Sequence, residues 1–281
     1  MVRFKKIIYN CSYVIIIIYL VFLIVRGTKI MRGTVLVTGA SAGFGMAIAE
    51  VLVQEGYQVV AAARRMNKLE SLSSKHPGKI FPLEMDMTKS ELFLRQLGSL
   101  PAKFQNIDVL VNNAGLALGV EPIPNIDLKD WDRMVQTNII GLIHLTQLVI
   151  SGMLERKRGH IISLGSIAGT YPYRGGNVYG ATKAFVKQFM LNLKTDLVGT
   201  ALKVTNIEPG LCGGTEFSEV RLKDSAKGKE VYKGTIPLTA MDIAETVRWI
   251  LSLPSHVNVN RIELMPVCQA PGGVAVVKTG N

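Results

Sequence analysis

Apolar positions along the chain fall into two rhythms. Short runs rich in β-branched residues recur at 34–38, 58–63, 79–85, 107–111, 160–164, 202–207 and 257–265, and several stop at glycine, asparagine or an acidic residue. Runs that are apolar at consecutive positions fit strands covered on both faces, as in a parallel sheet. Between them the spacing changes to that of helices: 46–56, 130–150, 178–198 and 239–253 carry apolar residues three and four apart. Strand and helix alternate without an internal repeat. The pattern predicts one α/β domain, a doubly wound, mostly parallel seven-stranded sheet.

Two stretches break the rhythm. Residues 211–234 turn polar after the sixth predicted strand and read as an irregular lid over a cleft. Residues 7–25, IIYNCSYVIIIIYLVFLIV, hold no charge and as a helix would nearly match a bilayer core of about 30 Å. Three readings of this segment stand: an uncleaved anchor, a processed leader, or sequence upstream of a start at Met31. Basic residues flank it on both sides, so the positive-inside rule gives no orientation. The expected division is therefore 1–30, a hydrophobic N-terminal segment, and 31–281, the α/β domain. The catalytic part is expected in the cytosol, whether free or anchored.

Composition narrows the function. With 48% apolar and 19% charged residues the chain is globular rather than disordered. Its net charge of +11 invites a nucleic-acid reading, but Arg3, Lys5, Lys6, Arg26 and Lys29 supply five of those charges, leaving +6 for the domain. Lys/Arg blocks with interleaved aromatics are missing after that, so nucleic acid is not an expected partner. Cys11, Cys212 and Cys268 are scattered and odd in number, which fits a reducing compartment. Four histidines without ligand spacing leave no expected metal site.

The first predicted strand runs into Gly39-Ala40-Ser41-Ala42-Gly43-Phe44-Gly45 and then a helix. Strand, glycine loop and helix bring free N–H groups and a positive dipole end to an anion such as a pyrophosphate. The second strand ends in Arg64-Arg65, where an acid would bind a ribose hydroxyl and an arginine a 2′-phosphate. NADP is the cofactor this predicts; a solvated basic pair is the alternative. Asp86-Met87 ends the third strand, with Asp86 facing either an adenine amino group or a turn, and Thr88 is expected to cap a helix. Asn113 follows the fourth strand, where a ligand crosses the sheet.

Ser166 follows the fifth strand, Tyr179 lies thirteen residues on, and Lys183 four further. Tyr179 and Lys183 at i, i+4 share one helix face, so an ammonium can lower the pKa of a phenol that normally ionises at about 10. Such a tyrosine can exchange a proton with an alcohol or carbonyl. Asn138, among Val135, Ile139 and Leu142, reads by itself as a satisfied core amide. A substrate carboxylate would need a cation, and Arg174 or Arg221 is available.

From about Thr34 to Met265 the chain resembles the short-chain dehydrogenase/reductase family. The resemblance rests on TGASAGFG at 38–45, NNAG at 112–115 and YGATK at 179–183. Within the family it is most similar to the bacterial NADP-dependent 3-hydroxy acid dehydrogenases, which act on serine or L-allo-threonine. It implies a Rossmann-type sheet, with Tyr179 as proton donor and acceptor, Lys183 as its partner and a ribose ligand, Ser166 on the substrate oxygen, and Asn138 holding a relay water. NADP would lie along Gly39, Ala40, Ser41, Ala42, Gly43, Phe44, Arg64, Arg65, Asp86, Met87, Asn113, Tyr179 and Lys183. Beyond the sixth strand it would meet Pro209, Gly210, Leu211, Cys212, Gly213, Gly214, Thr215, Glu216 and Phe217. A homotetramer is implied as well. Two other readings stay open: a same-family reductase of malonic semialdehyde or another small carbonyl, and a non-catalytic nucleotide-binding or membrane-tethered scaffold.

Overall fold

The computed structural model describes residues 32–272. The hydrophobic segment expected at 7–25 lies outside the described residues. Seven parallel strands form one sheet in the order β3-β2-β1-β4-β5-β6-β7. They are β1 Thr34–Thr38, β2 Gln58–Ala63, β3 Ile80–Glu84, β4 Ile107–Asn112, β5 Gly159–Leu164, β6 Leu202–Pro209 and β7 Arg261–Leu264. Every residue of β1, β2 and β5 is buried. Helices cover both faces, so these strands have no solvent side on which a polar alternate could sit.

Alternate side chains feed two cores. Val35, Val37 and Val59 pack with Ile48 and Leu52 of helix Gly43–Gln54 and with Ile243 and Val247 of helix Ala240–Ser252. On the other face, Leu36, Leu110 and Ile161 meet Leu142, Leu145 and Val149 of helix Gly141–Glu155 and Val186 of helix Asn177–Asp196. From β1 the chain winds out to β3 and returns to β4 on the other side of β1. Connections therefore leave the β1 and β4 carboxyl ends in opposite directions, and a crevice opens between them.

Several elements differ from the pattern reading. The helix expected at 130–150 is Leu128–Val135, a π-helical turn Gln136–Ile140, and Gly141–Glu155. Among the described residues this run alone is long and apolar enough to cross a membrane, but its Leu142, Leu145, Val149 and Met153 are spent on the core. The seventh strand starts at Arg261 rather than 257, because the Asn258 side chain accepts from Val204 N (2.8 Å) and donates to Val204 O (2.9 Å), replacing backbone pairing there. Thr88 does not cap a helix; it donates through N and Oγ1 to Asp86 Oδ1 at 3.0 and 2.9 Å, a turn. Residues 211–234 contain two short helices, Phe217–Leu222 and Ser225–Glu230, rather than an irregular coil.

His160 on β5 is fully enclosed, with Nε2 2.8 Å from Thr205 Oγ1. Burial, with Lys203 adding repulsion, drops its pKa from 6.5 to about 3. The folded imidazole stays neutral while the unfolded one binds a proton below pH 6.5, so stability is lost as pH falls from 6.5 toward 3. The loss from this group is up to about 5 kcal/mol. Urea midpoints between pH 7 and 4 should therefore fall more steeply for the wild type than for His160→Gln; parallel curves would refute the assignment.

Candidate active site

The glycine loop closes the carboxyl end of β1. Gly39 has φ +67, which a side chain disfavours, and a Cβ on Gly45 would lie against Gly39 O and Asn113 Nδ2. Asn113 Nδ2 donates to Thr38 O at 2.8 Å, while Thr38 Oγ1 accepts from the N–H groups of Asn113 (3.0 Å) and Ala114 (2.9 Å). Thus β4 locks the loop to β1. Helix Gly43–Gln54 starts at Ala42 without a side-chain cap and without an acidic residue in its first turn. Its leading N–H groups remain available to an anion.

A cavity of about 880 Å³ runs from this loop over the crevice, a size suited to a large organic ligand. It is lined by Gly39, Ser41, Ala42, Gly43, Phe44, Arg64, Arg65, Asp86, Met87, Asn113, Ser166, Tyr179, Lys183, Pro209, Gly210, Leu211, Cys212, Thr215, Glu216 and Phe217. Three residues expected along a cofactor stand apart from that lining. Ala40 is buried in the core beneath the loop, and Gly213 turns to Leu238 O through its N–H at 2.8 Å. Gly214 sits at φ +69 with open space around it. Asn138 also lies behind the wall. Its Oδ1 accepts from Leu116 N (2.9 Å), and its Nδ2 donates to Leu116 O (2.9 Å) and Thr182 Oγ1 (3.1 Å).

At the outer end, Arg65 donates to Ser41 Oγ at 3.0 and 3.2 Å and pairs with Glu216 at 2.9 Å. Three elements meet there: the glycine loop, the end of β2 and the start of the segment over the cleft. At the inner end, helix Asn177–Asp196 buries both Tyr179 and Lys183. Lys183 Nζ donates to Leu164 O at 2.7 Å and lies 5.9 Å from the Tyr179 ring centre. Ser166, beyond β5, stands beside Tyr179 near enough to favour its ionised form.

Burial governs the electrostatics here, contrary to the expectation of a phenol acidified by its lysine. Desolvation pushes the Tyr179 pKa well up; the Ser166 hydroxyl and the charge of Arg221 oppose it. Desolvation also pulls Lys183 down to about 8. The i, i+4 spacing correctly places the two groups together. It carries no information about how dry their surroundings are, and dryness dominates both shifts.

A hydroxyl pair, a buried lysine and a phosphate-type cradle on a Rossmann sheet form the arrangement that comparison with known proteins can test. The short chain dehydrogenase family model matches residues 33–226. The chain belongs to that family. It is 51% identical over 243 residues to the NADP-dependent 3-hydroxy acid dehydrogenase YdfG of Escherichia coli K12, covering 86% of this chain and 98% of that protein. The serine 3-dehydrogenase of Rhizobium radiobacter is 48% identical over 249 residues, 88% of this chain and 99% of that protein. A solved closed form of serine dehydrogenase complexed with NADP+ superposes with a TM-score of 0.86 at 51% identity, covering 88% of this chain and all of the other.

In this short-chain dehydrogenase the pattern reading missed part of the cavity wall. Arg133, Thr137, Tyr173, Val220, Tyr232 and Gln269 also line the cavity. They come from the π-helical turn and its preceding helix, the loop before helix Asn177–Asp196, and the segments after β6 and β7. Gln269 could have been found only from the fold, since its task is to accept from Leu211 N at 2.7 Å. Of the two arginines considered for a substrate carboxylate, Arg221 lines the cavity and Arg174 does not.

Proposed function

We propose that this short-chain dehydrogenase uses NADP to interconvert the 3-hydroxyl of a short 3-hydroxy acid, such as serine or L-allo-threonine, with the 3-oxo acid. The observation carrying this is the Ser166–Tyr179 hydroxyl pair facing the same cavity that the glycine loop and Arg64-Arg65 enter. The names of the relatives, a 3-hydroxy acid dehydrogenase and a serine 3-dehydrogenase, support the choice of substrate.

The residues present fit the cofactor. Gly39, Ser41 and Gly43 border the cavity with uncapped helix N–H groups beside them, and Arg64 and Arg65 supply cations where a 2′-phosphate would lie. Bound NADP would supply the hydride acceptor or donor. Ser166 would hold the substrate oxygen by a hydrogen bond. Tyr179 would take the hydroxyl proton in oxidation and return it in reduction. Lys183, fixed by Leu164 O, would hold its ammonium beside the phenol and offer donors to the ribose. Asn138 keeps one Oδ1 lone pair for a relay water. Asp86 and Met87 would border the adenine.

The homotetramer belongs to this proposal, and exposed Phe185 and Leu191 on the catalytic helix support it as apolar surface for a second copy. So do a cytosolic site of action and a working domain of 31–281.

A coupled assay tests the substrate class. NADPH formation should be faster with L-serine, L-allo-threonine and 3-hydroxypropionate than with neutral alcohols. Turnover confined to steroid or sugar carbonyls would replace the acid reading with that of a different reductase in the family. No turnover of any carbonyl or alcohol would leave the scaffold reading.

A further inference from the structure

Arg221 occupies an unusual position for a residue of a surface segment. It lies four residues after Phe217 on helix Phe217–Leu222, so both side chains leave one face of that helix. That face covers the catalytic tyrosine. The Phe217 ring tilts against Tyr179 at 5.7 Å between centres, and the Arg221 guanidinium carbon stands 5.8 Å from the Tyr179 ring and 5.1 Å from that of Tyr173. Arg221 Nε donates to Gly119 O at 3.2 Å and Nη2 to Gly175 O at 3.1 Å, while Gly119 N donates back to Arg221 O at 3.0 Å. A half-buried cation is thereby clamped between two loops. Its position is set before any substrate arrives.

A guanidinium carries five N–H donors, more than the two carbonyls and the Tyr173 hydroxyl take up. The remainder suits fork pairing with a carboxylate. The reach also fits. Two carbon–carbon bonds of about 1.5 Å separate the carbinol carbon of a 3-hydroxy acid from its carboxyl group, and a charge-assisted hydrogen bond adds about 2.8 Å. An oxygen held at Ser166 and Tyr179 would thus leave the carboxylate within range of a cation standing over the Tyr179 ring. Arg174 is exposed and outside the cavity lining, and Arg133, though in the lining, is exposed.

We propose that Arg221 is the receptor for the substrate carboxylate and sets the preference for 3-hydroxy acids over neutral alcohols of the same length. This rests on the hydroxy-acid reading above and names the residue that would make it selective. Because the receptor rides on the helix covering Tyr179, a carboxylate would hold that helix down over the reacting carbon. Acid substrates would then be favoured by direct pairing and by a covered site.

The test compares 3-hydroxypropionate with its methyl ester, both with NADP+, in the wild type, Arg221→Met, Arg221→Lys and Arg174→Met. The acid-to-ester ratio of kcat/KM should fall about 30-fold or more in Arg221→Met, and less in Arg221→Lys, which keeps the charge without the fork. Arg174→Met should change the ratio by less than about twofold. Arg221 also braces two loops and acts on the Tyr179 phenol, so absolute rates will drop for both substrates; the ratio cancels that shared loss. An unchanged ratio, with acid and ester falling together, would overturn the carboxylate role. A wild type that prefers the ester would overturn the hydroxy-acid reading itself, and this inference with it. If Arg221→Met does not fold, Arg221→Gln keeps an amide donor for Gly119 O and is read by the same ratio.

Discussion

Tyr179→Phe should lower kcat/KM for 3-hydroxy acid oxidation by about 10³-fold while leaving the dissociation constant for NADPH within about threefold. The substitution removes one oxygen from a buried side chain whose ring keeps its contacts with Phe217 and Lys183. The fold should persist, and the loss should appear in turnover. Since burial holds the phenol protonated, the residue is ready to donate to a carbonyl, whereas in oxidation it must first lose its own proton before it can take that of the substrate hydroxyl. Retention of wild-type turnover, with cofactor fluorescence titration showing normal binding, would remove Tyr179 from the proton path.

Arg65→Gln is the second large effect. The ratio of NADPH to NADH affinity should fall by about tenfold, the lower end for a charge-assisted contact, because the Arg65 side chain is 43% exposed and its pairing is screened. The double variant with Arg64→Gln should fall further. Glu216 modifies the expectation, since its carboxylate holds Arg65 at 2.9 Å and a 2′-phosphate must share or displace it. Glu216→Gln should therefore tighten NADPH several-fold while barely changing NADH, an asymmetry that binding titrations can read directly. If Arg65→Gln binds both cofactors as the wild type does, the 2′-phosphate contact lies elsewhere.

The legible parts of this protein share a physical property: their determinants are close together in sequence. β1 and β2 have the bounds their β-branched runs announce, because a strand buried on both faces must be apolar at consecutive positions. The glycine loop is legible because backbone geometry demands glycine at Gly39 and close approach demands it at Gly45. The helix joining Tyr179 to Lys183 follows from the apolar stripe at Val186, Phe189, Leu193 and Leu197. The π-helical turn at Gln136–Ile140 announces nothing, and the partners of its Asn138, Leu116 and Thr182, lie in other parts of the chain. The helices at Phe217–Leu222 and Ser225–Glu230 give no such signal, because each is six residues long and is tied by partners outside itself, Ser218 by Tyr232 and Ser225 by Glu219.

By itself, then, the sequence determined the parallel sheet, the glycine turn at its centre, and the pairing of Tyr179 with Lys183 on one helix, since each depends on backbone preference or on spacing within one element. Tertiary structure alone decided how dry Tyr179 and Lys183 are, that Ala40 and Gly213 stand apart from the cavity lining while Arg221 is in it, and that Glu216 competes for Arg65. Those outcomes depend on solvent exclusion and on pairs of atoms up to about 150 residues apart in the chain, which no local pattern encodes.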